Sequence, residues 1–318
     1  MAIMARKSIL VGLGIAFLGI VSGAWRLHAT RVQSPPPTRL IGQMPAAASS
    51  TLPGSSTLSM ASQPVTPIDP RAERNKAKDY RQLVELLLPL AEGGSPAAQY
   101  ELASTLHYCA ESWHQHFFSP STGAARTPEE MRDLKAKLSE NTRRQLDDAY
   151  QRCHSFSDNL SLLNSASDWL DEAVKAGYPP ATFMKADLTL KTLVMKEDSA
   201  AAIEQVRQQA ISATMSADPD VLFGMADFVD GTDKTRKQTG QLISAWWLLG
   251  CQSGYDCSAD SDAIEGICTV DPQCADRPTI VEQLQRVNGA KFAEVQQLAE
   301  QIKAAIDSGD PLAIKKYL

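Results

Sequence analysis

The sequence predicts an all-α protein: an α-solenoid of stacked helical hairpins behind an N-terminal membrane segment and a disordered tether. Three observations predict it. The 318-residue chain opens on an uncharged apolar run, which passes into a Pro/Ser/Ala-rich stretch. The remaining body holds repeated helix-start signals and no convincing alternating strand run. Within that body a helix-turn-helix pattern recurs, with turn positions Gly94, Gly177, Ala217 and Gly254 separated by 83, 40 and 37 residues. The first gap is about two units plus an insertion. A period near 40 residues with two helices per unit is the signature of an α-solenoid.

The predicted divisions are residues 1–31 as anchor or signal segment, 32–70 as linker and 71–318 as helical-repeat body. Residues Ile9 to Trp25 are uncharged, with Arg6 and Lys7 in front. A membrane helix needs about 20 apolar residues, with a lower limit near 17, and this run sits at that limit. It is longer than the ~7–15-residue core of an ordinary cleaved signal. The expectation is an inner-membrane anchor through residues 9–25 with the body in the periplasm. Cleavage after the small-x-small pattern Ser22-Gly23-Ala24 is the alternative and would leave a soluble exported body. From Val32 to Pro70 the chain has eight of its 18 prolines and no aromatic residue. Such a composition cannot bury enough apolar surface to offset chain entropy, so it predicts a disordered spacer.

The first acidic residue is Asp69. From Asp69 to Leu318 the chain carries 26 basic and 37 acidic residues, a formal net charge of −11. That charge repels phosphate backbones and argues against nucleic acid as a partner.

Helix signals follow in order. Leu90 to Ala103 ends one helix and begins the next, with Gly93-Gly94 at the turn, where positive φ is tolerated. Thr127-Pro128-Glu129-Glu130 reads as N-cap, Pro at the first helical position, then acids in the first turn. Ala173 to Ala186 repeats the hairpin turn around Gly177. Asp198 precedes an Ala-rich helix running to about Ser212. Asp218-Pro219-Asp220 opens another, carrying Val221, Leu222, Met225 and Phe228. Ser258 reads as the N-cap of a short helix ending near Cys268. Ala290 to about Ile306 places Phe292, Val295, Leu298 and Ile302 at helical spacing. These apolar stripes read as core packing.

Residues Leu90–Ala103 and Ala173–Ala186 resemble the turn of the Sel-one-like repeat family, relatives of the tetratricopeptide repeats, which reads small-Ala-x-x-Gly-x-x-x-Ala-x-x-x-Leu. The resemblance covers under a tenth of the chain. It implies stacked helical hairpins that serve as a protein-binding scaffold, and it carries over no catalytic residue. Ala245 to Cys257 is also similar to a motif of exported bacterial proteins, which implies a periplasmic setting.

The six cysteines are Cys109, Cys153, Cys251, Cys257, Cys268 and Cys274. An even number in an exported chain predicts three disulfides. Cys109 and Cys153 stand apart and are expected to pair. A helix from Ser258 would hold Cys257 and Cys268 roughly 16 Å apart, too far to bond. Two pairings remain: Cys251–Cys257 with Cys268–Cys274, or Cys251–Cys268 with Cys257–Cys274. Together with Cys109 and Cys153, the side chains of His107, His114, His116 and His154 could supply metal ligands, but their order matches no closed zinc pattern. No metal or cofactor is expected. Gly-x-Ser-x-Gly, phosphate-binding Gly-rich and His-Glu-x-x-His motifs are absent from the sequence.

The expected function is therefore binding of a protein or peptide of the cell envelope, with no chemistry of its own. The alternative is an enzyme or accessory factor acting on cell-wall or surface polymers. Ala110 to Arg126 reads as a loop that departs from repeat regularity and carries Trp113, Phe117 and Phe118. These rings have two readings: anchors for a partner, or a cover over an open end of the helix stack beside the first disulfide.

Overall fold

The computed structural model describes residues 68–318, apart from 120–123, 196–198, 233–238, 260, 262, 265–266 and 268–277. The anchor 1–31, most of the linker and the cysteines Cys268 and Cys274 lie outside the described residues. Among the described residues the protein is all-helical, with a single isolated bridge between Phe118 and Ala125. None of these helices is long and apolar enough to cross a membrane.

The described residues open with α1 (Pro70–Lys76), α2 (Tyr80–Glu92) and α3 (Pro96–Ser112), the last prolonged by a π-helical turn over Trp113–Phe117. Next come α4 (Pro128–Ala136), α5 (Glu140–Cys153), α6 (Ala166–Lys175) and α7 (Pro179–Met195). The rest are α8 (Ala200–Thr214), α9 (Pro219–Thr232), α10 (Thr239–Gln252), α11 (Ile280–Asn288), α12 (Phe292–Asp307) and α13 (Pro311–Lys315).

Local chemistry explains where these helices begin and end. Thr127 forms the full capping box with Glu130, and Thr279 does the same with Glu282. Pro occupies the start of α1, α3, α4, α7, α9 and α13, where its missing N–H costs no hydrogen bond. Two further caps are serines, the second displaced from the expected Ser258. Ser199, beside Asp198, caps α8 by accepting from the Ala202 amide. In the segment after Cys257, the Ser261 hydroxyl accepts from the amide of helical Ile264, so the cap lies three residues beyond Ser258.

The recurring turn is real at all four positions: Gly94, Gly177, Ala217 and Gly254 have φ of 85°, 74°, 53° and 106°. At Gly94 the Ser95 amide reaches Leu90 O and the Gly94 amide reaches Ala91 O. Tyr178 and Gly177 close the same pair of bonds on Ala173 and Val174, as do Tyr255 and Gly254 on Gly250 and Cys251. This double closure satisfies the orphan carbonyls of the ending helix. Ala217 adopts the left-handed conformation without being glycine, and the Ser216 hydroxyl accepts from the Asp218 amide to support it.

Many helices pack on their neighbours in sequence, α2 on α3, α6 on α7, α7 on α8 and α9 on α10, while α6 on α3 and α10 on α12 pack across intervening helices. Tyr80, Leu87, Leu102 and Leu106 fill the N-terminal core. Leu170, Ala173, Ala181 and Tyr100 form a small middle core. Phe228, Met225, Trp246, Leu249 and Ile302 lie in the C-terminal one. There Trp246 Nε1 donates to Tyr317 O at 3.1 Å, giving the buried indole its partner. At Gly250, α9 and α10 approach so closely that a Cβ would lie 2.8 Å from Phe223 Cα.

Cys109 and Cys153 are bonded, Cα to Cα 5.4 Å, and so are Cys251 and Cys257, 5.6 Å apart. The second bond selects between the two pairings left open for the last four cysteines and removes Cys251–Cys268 with Cys257–Cys274.

Candidate functional site

The aromatic segment is not the loop expected from its sequence. Helix α3 runs on to Ser112 and then winds one π-helical turn, which brings Trp113 and Phe117 to one face. The two rings are only 4% and 2% exposed. They meet edge to face at 5.3 Å, and Trp113 Nε1 donates to Cys153 O at 3.2 Å. The disulfide Cys109–Cys153 sits in the same core. Rings buried to this extent have no free face for a partner, so Trp113 and Phe117 belong to the packing around the first disulfide. Phe118 is half-buried and lies 5.7 Å from Trp113. Beyond it, the Ser119 and Arg126 amides pair with Ala124 O and Phe117 O and close the loop.

The histidines disperse. His107 faces Glu111 at 3.6 Å, and His154 Nδ1 lies within hydrogen-bond reach of Tyr150 O and Gln151 O. Burial, with Arg126 nearby, pushes the His116 pKa down. Among the described residues no group of three or more His, Cys, Asp or Glu side chains is placed to hold a metal ion.

Two of the openings lined by the described residues are large enough for a ligand. The first, about 300 Å³, lies where α3, α6 and α7 meet. Ala103, Leu170, Met184 and Leu188 line it together with His107, Lys185, Thr189 and Thr192. Its polar groups are held in place. Lys185 Nζ donates to Asp171 at 2.9 Å, and the Thr189 and Thr192 hydroxyls donate to Lys185 O and Leu188 O. The result is an apolar cleft with a fixed polar edge, the usual constitution of a recognition groove. The second opening, about 620 Å³, lies along α4 and α5 and is lined by Arg126, Arg132, Lys135 and Arg143 with Met131 and Tyr150. Acidic partners sit close to two of its cations: Lys135 contacts Asp147, and Arg143 lies 2.9 Å from Glu140.

A third constellation is buried. Glu101 on α3 is 1% exposed, and Arg74 of α1 reaches it at 3.3 Å. Arg71, also on α1, holds both carboxylate oxygens of Asp218 at 2.9 and 3.0 Å. Its Nη2 also lies 2.9 Å from Asp220, as an ion pair without hydrogen-bond alignment. Burial lifts the Glu101 pKa from 4.5 to about 7, against the pull of Arg74 and Arg71, and raises that of Asp220 against the same two arginines. Burial opposes the charge on Arg71, yet Asp220 and Asp218 hold its pKa above the ordinary value. Tyr178 stands beside the cluster, its hydroxyl pushed by burial to about 12.

Sequence reading missed this cluster. Glu101 sits inside a repeat turn and Asp218 reads as a helix cap; nothing local links either to Arg71.

No protein family, curated protein or solved structure matches this chain.

Proposed function

We propose that this chain is a membrane-tethered, periplasm-facing helical-repeat module that binds a protein or peptide partner and performs no chemistry of its own. The observation that carries the reading is the cleft between α3, α6 and α7. It is formed by the hairpins that turn at Gly94 and Gly177, with apolar residues on its walls and Lys185, Thr189 and Thr192 hydrogen-bonded at its edge. A segment laid in such a cleft buries apolar side chains and meets placed polar groups. The solenoid part of the proposal is supported by packing between sequence neighbours and by the recurring positive-φ turns. Export is supported by the two disulfides, bonds that persist in oxidising compartments.

The test is site-specific photocrosslinking in the native cell from a probe at Leu188, which lines the cleft. Adducts to one defined protein segment are expected, and Met184→Arg should abolish them while the melting temperature stays within a few degrees of wild type. Adducts that persist unchanged in a folded Met184→Arg variant would refute the cleft as the binding site.

A further inference from the structure

The helix α1 behaves as a ligand for the body it belongs to. It is seven residues long and buries none of them. What holds it is charge: Arg71 on Asp218 and Asp220, Arg74 on Glu101. The acceptors are of another kind. Glu101 is 1% exposed and projects from α3, a core helix, while Asp218 and Asp220 open α9. A carboxylate so far from water requires a cation or a proton beside it. The site is therefore built into the body, and its cations are delivered by a short helix next to the linker.

The fit of α1 is incomplete. Glu101 Oε1 and Arg71 Nε are both buried without a hydrogen bond, facing each other at 4.0 Å. A gap of about 50 Å³ remains among Arg71, Arg74, Asn75, Asp220 and Tyr255. A better-fitting helix could satisfy Glu101 Oε1 and fill that gap.

We propose that α1 is a resident occupant of an arginine-accepting site, and that a partner helix presenting two arginines one turn apart competes with it for Glu101, Asp218 and Asp220. The partner is a basic protein segment, in keeping with the formal net charge of −11 from Asp69 to Leu318. Departure of α1 alone takes the cations away from Glu101 and Asp220, so a competing cation favours its displacement. Three residues, Ala77 to Asp79, join it to α2. That short link gives α1 an effective concentration in at least the millimolar range, so a competitor must be strong or locally abundant. The proposal goes beyond the cleft reading and does not depend on it.

The probe is a synthetic peptide of residues 68–79, alongside a control peptide with both arginines replaced by Ala. In the wild-type chain, amide hydrogen exchange should be at least about 100-fold faster in α1 than in α3. The Arg74→Ala variant should bind the peptide at millimolar concentration, seen by fluorescence anisotropy. It should ignore the control, and adding Glu101→Gln should remove binding. Met184→Arg should leave this binding intact, which separates it from failure of the cleft. Equal protection of α1 and α3 in the wild type would show α1 to be a fixed part of the fold and overturn the proposal. So would a folded Arg74→Ala variant that takes no peptide. Should that variant not fold, the wild type decides: loss of α1 protection on adding peptide supports the exchange, and unchanged protection overturns it.

Discussion

Replacing Gly250 with Ala should destabilise the body, although helix propensity alone favours the change by as much as ~1 kcal/mol. The added Cβ would lie 2.8 Å from both Phe223 Cα and Phe223 Cβ and 2.9 Å from its backbone nitrogen, whereas ordinary contact begins near 3.4 Å. None of these atoms is the end of a flexible side chain. Helix α9 must therefore move off α10 by at least about 0.6 Å. That motion disturbs fully buried neighbours, among them Trp246 and Phe228. It also shifts the Phe223 ring, which stacks on Tyr255 at 4.0 Å. Overpacking of this kind costs about 1–3 kcal/mol. After the propensity gain the net loss should be up to about 2 kcal/mol, a fall in melting temperature of up to roughly 8 °C for a body of this size. Thermal unfolding by circular dichroism measures it, with Gly231→Ala as the control. There the new Cβ meets only Leu190 Cδ2 at 3.8 Å, so a small gain is expected. If Gly250→Ala melts above wild type, the close approach of α9 and α10 is wrong.

Three further outcomes follow from other parts of the molecule. Removing Cys109–Cys153, which closes 44 residues, should cost about 4 kcal/mol in the chain-entropy account, whereas removing Cys251–Cys257, which closes 6, should cost about 2; paired Cys→Ala variants in urea melts that reverse this order would contradict it. Trp113→Ala should destabilise by about 3–5 kcal/mol, because the indole is 4% exposed and donates to Cys153 O; a variant as stable as wild type would return the ring to the surface. Glu101 holds its proton more tightly folded, with a pKa of about 7 against 4.5, so its contribution is fully present below about pH 4.5 and lost as pH rises through 7. Asp220 acts in the same sense. Between pH 5 and 8 wild type should lose on the order of 3 kcal/mol more than Glu101→Gln, and parallel pH profiles for the two proteins would count against a buried carboxylate.

What the sequence made legible was local. Thr127-Pro128-Glu129-Glu130 announces α4 because cap, proline and first-turn acids act within one turn of one another. Gly94 and Gly177 mark hairpin turns because the left-handed conformation is a property of single residues. The aromatic segment misleads because Ser119-Pro120-Ser121-Thr122-Gly123 breaks regular structure and suggests an early break; Trp113 and Phe117, four residues apart, were the signal that a helix face continued. The charge cluster was illegible for a different reason. Arg71 and Asp218 are 147 residues apart, and only the assembled turn before α9 brings the carboxylate to α1.

That separation has a bearing on how the molecule assembles. Most of its contacts join helices adjacent in the chain, so folding can advance in the order of synthesis, each hairpin closing a short loop onto the one before. Helix α1 breaks that order. It is the first described helix to be made, yet Arg71 must wait for Asp218 and Asp220, which arrive about 150 residues later. Until then Glu101 has only part of its final surroundings, and the first helix is free to meet other partners. The earliest-made of the described helices is thus among the last to be secured.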